Sequence, residues 1–364
     1  MKLRSLFLTS VALTCVLALG CENTTSTDPS NLTVSLQDHG QGSGDPGLPG
    51  SKDLKLPDID DPGVESPEAA GMTVAFNDGS RNSQSMAEQD LVNTLQLVSA
   101  HQISTGSGLR IALLDTGVDP NHSLLQGRIV AGRDMIDQDD EPWESADNVD
   151  NDGDGLIDEG FGHGTHLAGL VALLAPDAEI HIYRVLDDEG RGKANRVAQA
   201  ISRAMRAEVD IISLSLGMDV PFAAVEAAIQ LADERGVTVL ASIGNHGTDL
   251  ESHFPANYPL VIAVGSHDMQ HALSDFSSFG PGLHVTAPGE DLVSAYPDEG
   301  YSVMSGTSTS TAVVASLCAL ILDLNPDFTP QDVADHLAAT VNPGTGVPGS
   351  TGHGSINFLG AVQP

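Results

Sequence analysis

Short apolar, β-branched runs alternate with longer amphipathic stretches from about residue 87 to the C-terminus. Residues 110–114, 179–186, 209–214, 237–243 and 260–264 have the length and composition of strands. Between them, residues 194–208 and 221–235 place apolar side chains at helical spacing, with Pro221 near a helix start and Gly236 just past an end. Such alternation predicts an α/β fold of three layers, a mainly parallel central sheet covered by helices. Ligands of these sheets sit at the carboxyl ends of the strands, so the residues that follow each strand are the candidates for chemistry.

The first 86 residues show neither period. Lys2 and Arg4 precede an apolar run, residues 6–19, that is too short to span a bilayer comfortably and reads as an export signal. It ends in Leu17-Ala18-Leu19-Gly20-Cys21, which resembles the lipobox of bacterial lipoproteins and makes Cys21 a lipidation candidate, although Ala18 and Leu19 depart from the usual residues there. The plainer reading is ordinary signal cleavage beside an incidental cysteine. From 22 to 71 only ten of fifty residues are apolar, too few to offset the entropy of ordering the chain. Residues 22–86 are therefore expected to be a disordered linker or a short pro-segment, ahead of one domain at 87–364.

Four segments after predicted strands or at helix starts carry polar residues that packing alone would not select: Asp115-Thr116-Gly117, Gly162-His163-Gly164-Thr165-His166, Gly244-Asn245-His246 and Gly306-Thr307-Ser308. Each alone could be a turn or a cap. Together they offer a carboxylate, an imidazole, an amide and a hydroxyl. A serine hydroxyl needs a base to accept its proton as it attacks a carbonyl, and His163 has the right pKa range. The imidazole needs a partner that fixes its tautomer, which Asp115 can supply from a strand end. Asn245 and the backbone N–H of Ser308 at a helix N-terminus could receive the charge developing on the carbonyl oxygen.

At these residues the chain resembles the subtilisin-like serine peptidases, over roughly residues 87–363. The order Asp, His, Ser is that of subtilisin, which serves as a standard example of a convergent triad. The resemblance implies that Asp115, His163 and Ser308 are the triad, that Asn245 is the oxyanion donor, and that His166 is not the base. It also implies that Ser215, Leu216 and Gly217 pair with an extended substrate backbone and, with Ala241 and Gly244, wall the pocket for the residue before the scissile bond. No carboxylate lies in these segments, which argues against a strict preference for basic residues. Two departures stand out. Thr309-Ser310-Thr311-Ala312-Val313 replaces the family's usual Met-Ala-(Ser or Thr)-Pro-His, and no folded pro-domain is recognisable before residue 87. Ala in place of Pro is an excellent helix former, so the helix should survive.

Between the first strand and His163 lies an acidic stretch, residues 147–159. Asp150, Asp152 and Asp154 followed by Gly155 match the start of a calcium loop, but Phe161 stands where a closing Glu is expected, leaving Asp158 or Glu159 to complete the shell. Calcium is the expected cofactor, with a structural role; a solvated acidic loop is the alternative. No zinc site and no organic cofactor are expected. Cys318 lies in an apolar helical run and reads as a buried thiol.

Fifteen Lys plus Arg against fifty Asp plus Glu give a formal charge of −35, which argues against nucleic acid as a partner. Protein or peptide substrates are expected, with a monomeric enzyme exported to the bacterial cell envelope as a lipoprotein, or secreted if Cys21 is not lipidated. The function read from the sequence is an exported serine endopeptidase working through an acyl-enzyme. The alternatives are a catalytically weak relative that binds peptides and a calcium-stabilised envelope interaction protein.

Overall fold

The computed structural model describes residues 63–65, 82–249, 253–342 and 352–363. The expected signal segment, Cys21 and most of the expected linker lie outside the described residues. Within that linker a short strand, β1 (Gly63–Glu65), is present, and helical structure begins slightly before the expected boundary with α1 (Ser83–Ala87), α2 (Asp90–Thr94) and α3 (Leu97–Ala100). The domain then runs through β2 (Arg110–Asp115), β3 (Ile129–Asp134), α4 (His163–Leu174), β4 (Glu179–Arg184), β5 (Arg191–Lys193) and α5 (Ala194–Arg206). It continues with β6 (Ile211–Leu214), α6 (Ala223–Glu234), β7 (Thr238–Ser242), β8 (Ile262–His267), β9 (Leu283–Pro288), β10 (Leu292–Tyr296) and β11 (Gly300–Met304). The helices α7 (Thr307–Leu324), α8 (Pro330–Thr340) and α9 (Phe358–Val362) complete it.

Seven strands form one sheet in the order β3-β4-β2-β6-β7-β8-β9, and every neighbouring pair is parallel. This is the expected three-layer α/β architecture. Alternation along β2 shows how the layers are made. Ile111 and Leu113 join a core built with α4 and α7, whereas Ala112 and Leu114 join a separate core built with α5 and α6. Side chains of successive strand residues point to opposite faces, so one six-residue strand serves both cores. The chain moves from β2 outward to β3 and β4, then returns to add β6 on the other side of β2. Asp115, the last residue of β2, therefore stands where the strand order reverses, the place where open parallel sheets bind ligands.

Helix α7 opens with hydroxyl residues, becomes mainly apolar from Ala312, and is buried from Thr307 to Leu322, as a central helix should be. It is the one helix among the described residues long and apolar enough to cross a membrane, and 89% of it is buried inside the domain. The replacement of the usual post-serine residues leaves it intact: Thr311 donates to the Thr307 carbonyl at 2.7 Å and Ser310 to the Ala287 carbonyl at 3.0 Å. Outside the large sheet, β10 and β11 form an antiparallel hairpin, and β1 pairs antiparallel with β5, Val64 opposite Gly192.

Candidate active site

Asp115 and His163 meet at the switch point. The Asp115 carboxylate is fixed first by its own strand end, where Oδ1 accepts from the Thr116 N–H at 2.8 Å. The same oxygen accepts from Nδ1 of His163 at 2.6 Å, with both side chains buried. A proton held at Nδ1 by a carboxylate leaves the neutral imidazole basic at Nε2. His163 opens α4, and the turn before it requires glycine. Gly162 has φ +87°, and a Cβ there would come 2.2 Å from the Tyr296 ring. Gly164 passes so near the Gly117 carbonyl that a Cβ would lie 2.1 Å from its oxygen. These approaches let the strand end and the helix start touch.

Ser308 is the second residue of α7, where backbone N–H groups have no intrahelical acceptor. Its hydroxyl is buried and holds no hydrogen bond. Burying a hydroxyl without a partner costs about 1–3 kcal/mol, which packing alone does not explain. Asn245, in the loop after β7, is locked to the same helix start. Its Oδ1 accepts from the Thr307 N–H and the Thr307 hydroxyl, both at 2.9 Å. Because a backbone N–H can only donate, the amide orientation is decided, and Nδ2 is the edge turned away from Thr307. The Ser215 hydroxyl reaches the Ser308 carbonyl at 3.4 Å, bringing the segment after β6 to the same place.

The residues expected to wall a substrate pocket are neighbours in space. Strands β6 and β7 lie side by side with Leu214 opposite Ala241, so 215–217 and 241–244 leave the sheet together. His253 lies between them: a Cβ on Gly217 would come 2.2 Å from its ring, and one on Gly244 would come 3.2 Å from it. Burial, helped by the nearby His246, pushes the His253 imidazole down to about 4. His166, by contrast, is bound through Nε2 to the Leu292 carbonyl at 3.0 Å and pushed down to about 3 by burial, in keeping with a helix-packing role.

A model of the subtilase family matches residues 106–354 of the sequence. The chain belongs to the subtilase family. Subtilisin BL of Lederbergia lenta is 34% identical over 280 residues, 74% of this chain and 94% of that protein. Thermitase of Thermoactinomyces vulgaris is 35% identical over 279 residues, again 74% and 94%. Among solved structures, a protease of Pseudoalteromonas arctica PAMC 21717 matches with a TM-score of 0.68 at 27% identity, covering 74% of this chain and 93% of that one. A cold-adapted subtilisin-like serine proteinase matches with a TM-score of 0.61 at 30% identity, over 70% of this chain and 88% of the other. This subtilase is accordingly a subtilisin-like serine endopeptidase, a hydrolase.

The acidic stretch of the subtilase folds into three groups of carboxylates rather than one shell. Asp150, Asp152 and Asp154 form one, as the spacing suggests. Glu159 leaves them for a group with Asp152 and Glu189, and Asp158 for a group with Asp147 and Asp188. Asp188 and Glu189 come from the turn between β4 and β5, which the sequence reading passed over. That turn is tied to the stretch through the backbone, Gly160 N–H to the Asp188 carbonyl at 2.7 Å and Asn151 N–H to Glu189 Oε1 at 2.8 Å. Burial and the Glu189 side chain push the Glu159 carboxyl up to about 7. The sequence reading also passed over Glu144, a half-buried carboxylate bonded to the residues that follow Asp115 and His163. Only an acid in an otherwise turn-forming loop could have hinted at it.

Proposed function

We propose that this subtilase is an exported serine endopeptidase in which Ser308, His163 and Asp115 act as nucleophile, base and orienting carboxylate, with Asn245 as oxyanion donor. The observation that carries the reading is the 2.6 Å Asp115–His163 hydrogen bond, which directs the imidazole's basic nitrogen away from the strand. Ser308 Oγ attacks the scissile carbonyl carbon while its proton passes to His163 Nε2. The oxyanion accepts from Asn245 Nδ2 and from the Ser308 N–H at the start of α7. Collapse expels the amine, which takes the proton from His163, and water activated by the same imidazole hydrolyses the acyl-enzyme. Main-chain pairing along Ser215, Leu216 and Gly217 would hold an extended peptide without demanding one sequence, and Ala241 and Gly244 would form the opposite pocket wall. Ser308→Ala should lower peptide hydrolysis by several orders of magnitude and abolish labelling by a fluorophosphonate, with the fold unchanged. Near-normal turnover in that variant would overturn the assignment. A wild-type protein that binds peptides but neither cleaves them nor takes the label would be the peptide-binding relative instead.

The acidic stretch fits calcium. Hard oxygen ligands converge there, and Glu189, 2% exposed, keeps Oε2 without a hydrogen-bond partner. Asp150, Asp152, Asp154, Asp158 and Glu159 would hold the ion or ions, together with Asp188 and Glu189 from the neighbouring turn. A bound cation would cancel charge and link the loop before His163 to that turn. No chemical step is assigned to it.

The N-terminal segment supports export, and Cys21 supports lipid attachment at the cell envelope. Labelling with a fatty-acid analogue should mark the wild-type product and not Cys21→Ser; a released, unlabelled wild-type protein would leave an ordinary signal. The antiparallel pairing of Gly63–Glu65 with β5 ties one short part of residues 22–86 to the domain, which supports a pro-segment there over a linker without contacts.

A further inference from the structure

Glu144 is half-buried and, among the described residues, no Lys or Arg pairs with it. Its contacts are instead the residues that flank the Asp115–His163 pair. Oε1 accepts from the Thr116 hydroxyl at 2.5 Å and from the Gly164 N–H at 3.1 Å. Oε2 meets the Thr165 hydroxyl. Thr116 follows Asp115 and itself accepts from the Gly164 N–H at 3.0 Å, while Gly164 and Thr165 follow His163. Thr165 in turn accepts from the Asp119 N–H at 2.8 Å, closing the network onto the loop beyond β2. The Glu144 backbone is held too, its N–H donating to the Val118 carbonyl at 3.1 Å while Val118 donates to the Pro142 carbonyl at 3.1 Å.

We propose that Glu144 is a positioning residue of the hydrolysis: one carboxyl group ties the residue after Asp115 to the two residues after His163, and so fixes the distance and angle at which carboxylate and imidazole meet. This rests on the reading of Asp115, His163 and Ser308 as the triad. The chain between 115 and 163 is long, rich in mutually repelling acids and irregular apart from β3, so the connection itself does little to set strand end against helix start. Backbone contact alone is a weak device here, because the glycines that allow it also leave the turn free to shift. An acceptor shared by two hydroxyls and one amide over-determines the geometry, and such networks respond as a unit. Burial pushes the Glu144 carboxyl up, with the Asp115 charge adding to the effect. That direction makes the neutral amide of glutamine a close mimic.

Volume and hydrogen bonding are separable in this test. Glu144→Leu fills the space without an acceptor, and Glu144→Gln restores the acceptor without a charge. With a chromogenic peptide, Glu144→Leu should lose about a hundredfold in kcat with KM little changed, the scale of a misplaced catalytic group. Glu144→Gln should recover most of that loss. Proton NMR of Glu144→Leu should show the low-field signal of the Asp115–His163 hydrogen bond broadened or lost, and retained in Glu144→Gln. If Glu144→Leu does not fold, Thr165→Val, which removes one arm, should lower kcat in the same direction with an unchanged melting temperature. A wild-type kcat in Glu144→Leu overturns the proposal, as does an equal loss in the Leu and Gln variants, which would place the effect in charge rather than in the shared acceptor. Loss of all activity in Ser308→Ala alongside normal Glu144 variants would sink only this inference; an active Ser308→Ala would sink the triad reading beneath it.

Discussion

At Asn245 a neighbour decides what the side chain can do. Thr307 donates twice to Oδ1, so the amide turns its nitrogen away from Thr307, which the proposed oxyanion role requires. Replacing Asn245 by Ala should lower kcat by roughly a hundred- to thousandfold with KM little affected, measured on a peptide ester or amide. A change in KM alone would move Asn245 from chemistry to binding. The sequence offers this residue as a candidate through a local pattern, an amide beside glycine shortly after a strand. Asp115, His163 and Ser308 stand out as candidates for the same reason, since each sits at or one step from the end of a regular element. Glu144 does not: its partners lie at 116, 164 and 165, and the loop that carries it has no period from which to infer what it faces.

At the scale of elements, the loop before α4 and the turn between β4 and β5 share one ionic problem. Carboxylates at 152, 159 and 189 lie close together, as do those at 147, 158 and 188, and only Arg191 answers them with an ion pair, to Asp152 at 2.7 Å, among the described contacts. A cation bound to the folded state alone stabilises it by mass action, so the melting temperature should rise with calcium. A chelator should reverse the rise and hasten self-digestion, and both Asp152→Ala and Glu189→Gln should blunt the calcium response. Equal melting curves with calcium and chelator, with no calcium found by elemental analysis, would leave a solvated loop. The strand and helix pattern predicted most of the sheet, from β2 through β8, because buried parallel strands are short apolar runs. The edge strand β3 was missed because its residues are mixed and partly exposed, and the largely buried β10–β11 hairpin because its short runs mix Gly, Ser and Tyr among the apolar residues. Helix α8 was missed although Thr329-Pro330-Gln331-Asp332 writes a capping box with proline in the first turn, which the structure forms in full.

For the whole molecule, acid should be destabilising in a defined window. Burial depresses His166 to about 3 and His253 and His267 to about 4, from an ordinary value of 6.5. A histidine with a depressed folded pKa contributes stability above its unfolded value, and that contribution is lost as pH falls from about 6.5 toward 3–4. At constant calcium, the melting temperature should drop by roughly 5 °C or more between pH 7 and pH 5. His267→Asn, which can still donate to the Asp268 carbonyl held at 2.7 Å by Nδ1, should show a shallower slope. Glu144 acts with the opposite sign, since a raised carboxyl is lost as a stabiliser when pH climbs through its folded value. A flat profile between pH 5 and 7 would show that these imidazoles do not control acid unfolding. The strand Gly63–Glu65 has a consequence of another kind. It belongs to the same polypeptide as the edge it covers, so its effective concentration there is set by the tether and does not fall on dilution. Any other peptide that would pair with that edge must outcompete a neighbour that never leaves. Once the tether is cut, the same three residues become a solute like any other, and diluting the enzyme clears the edge.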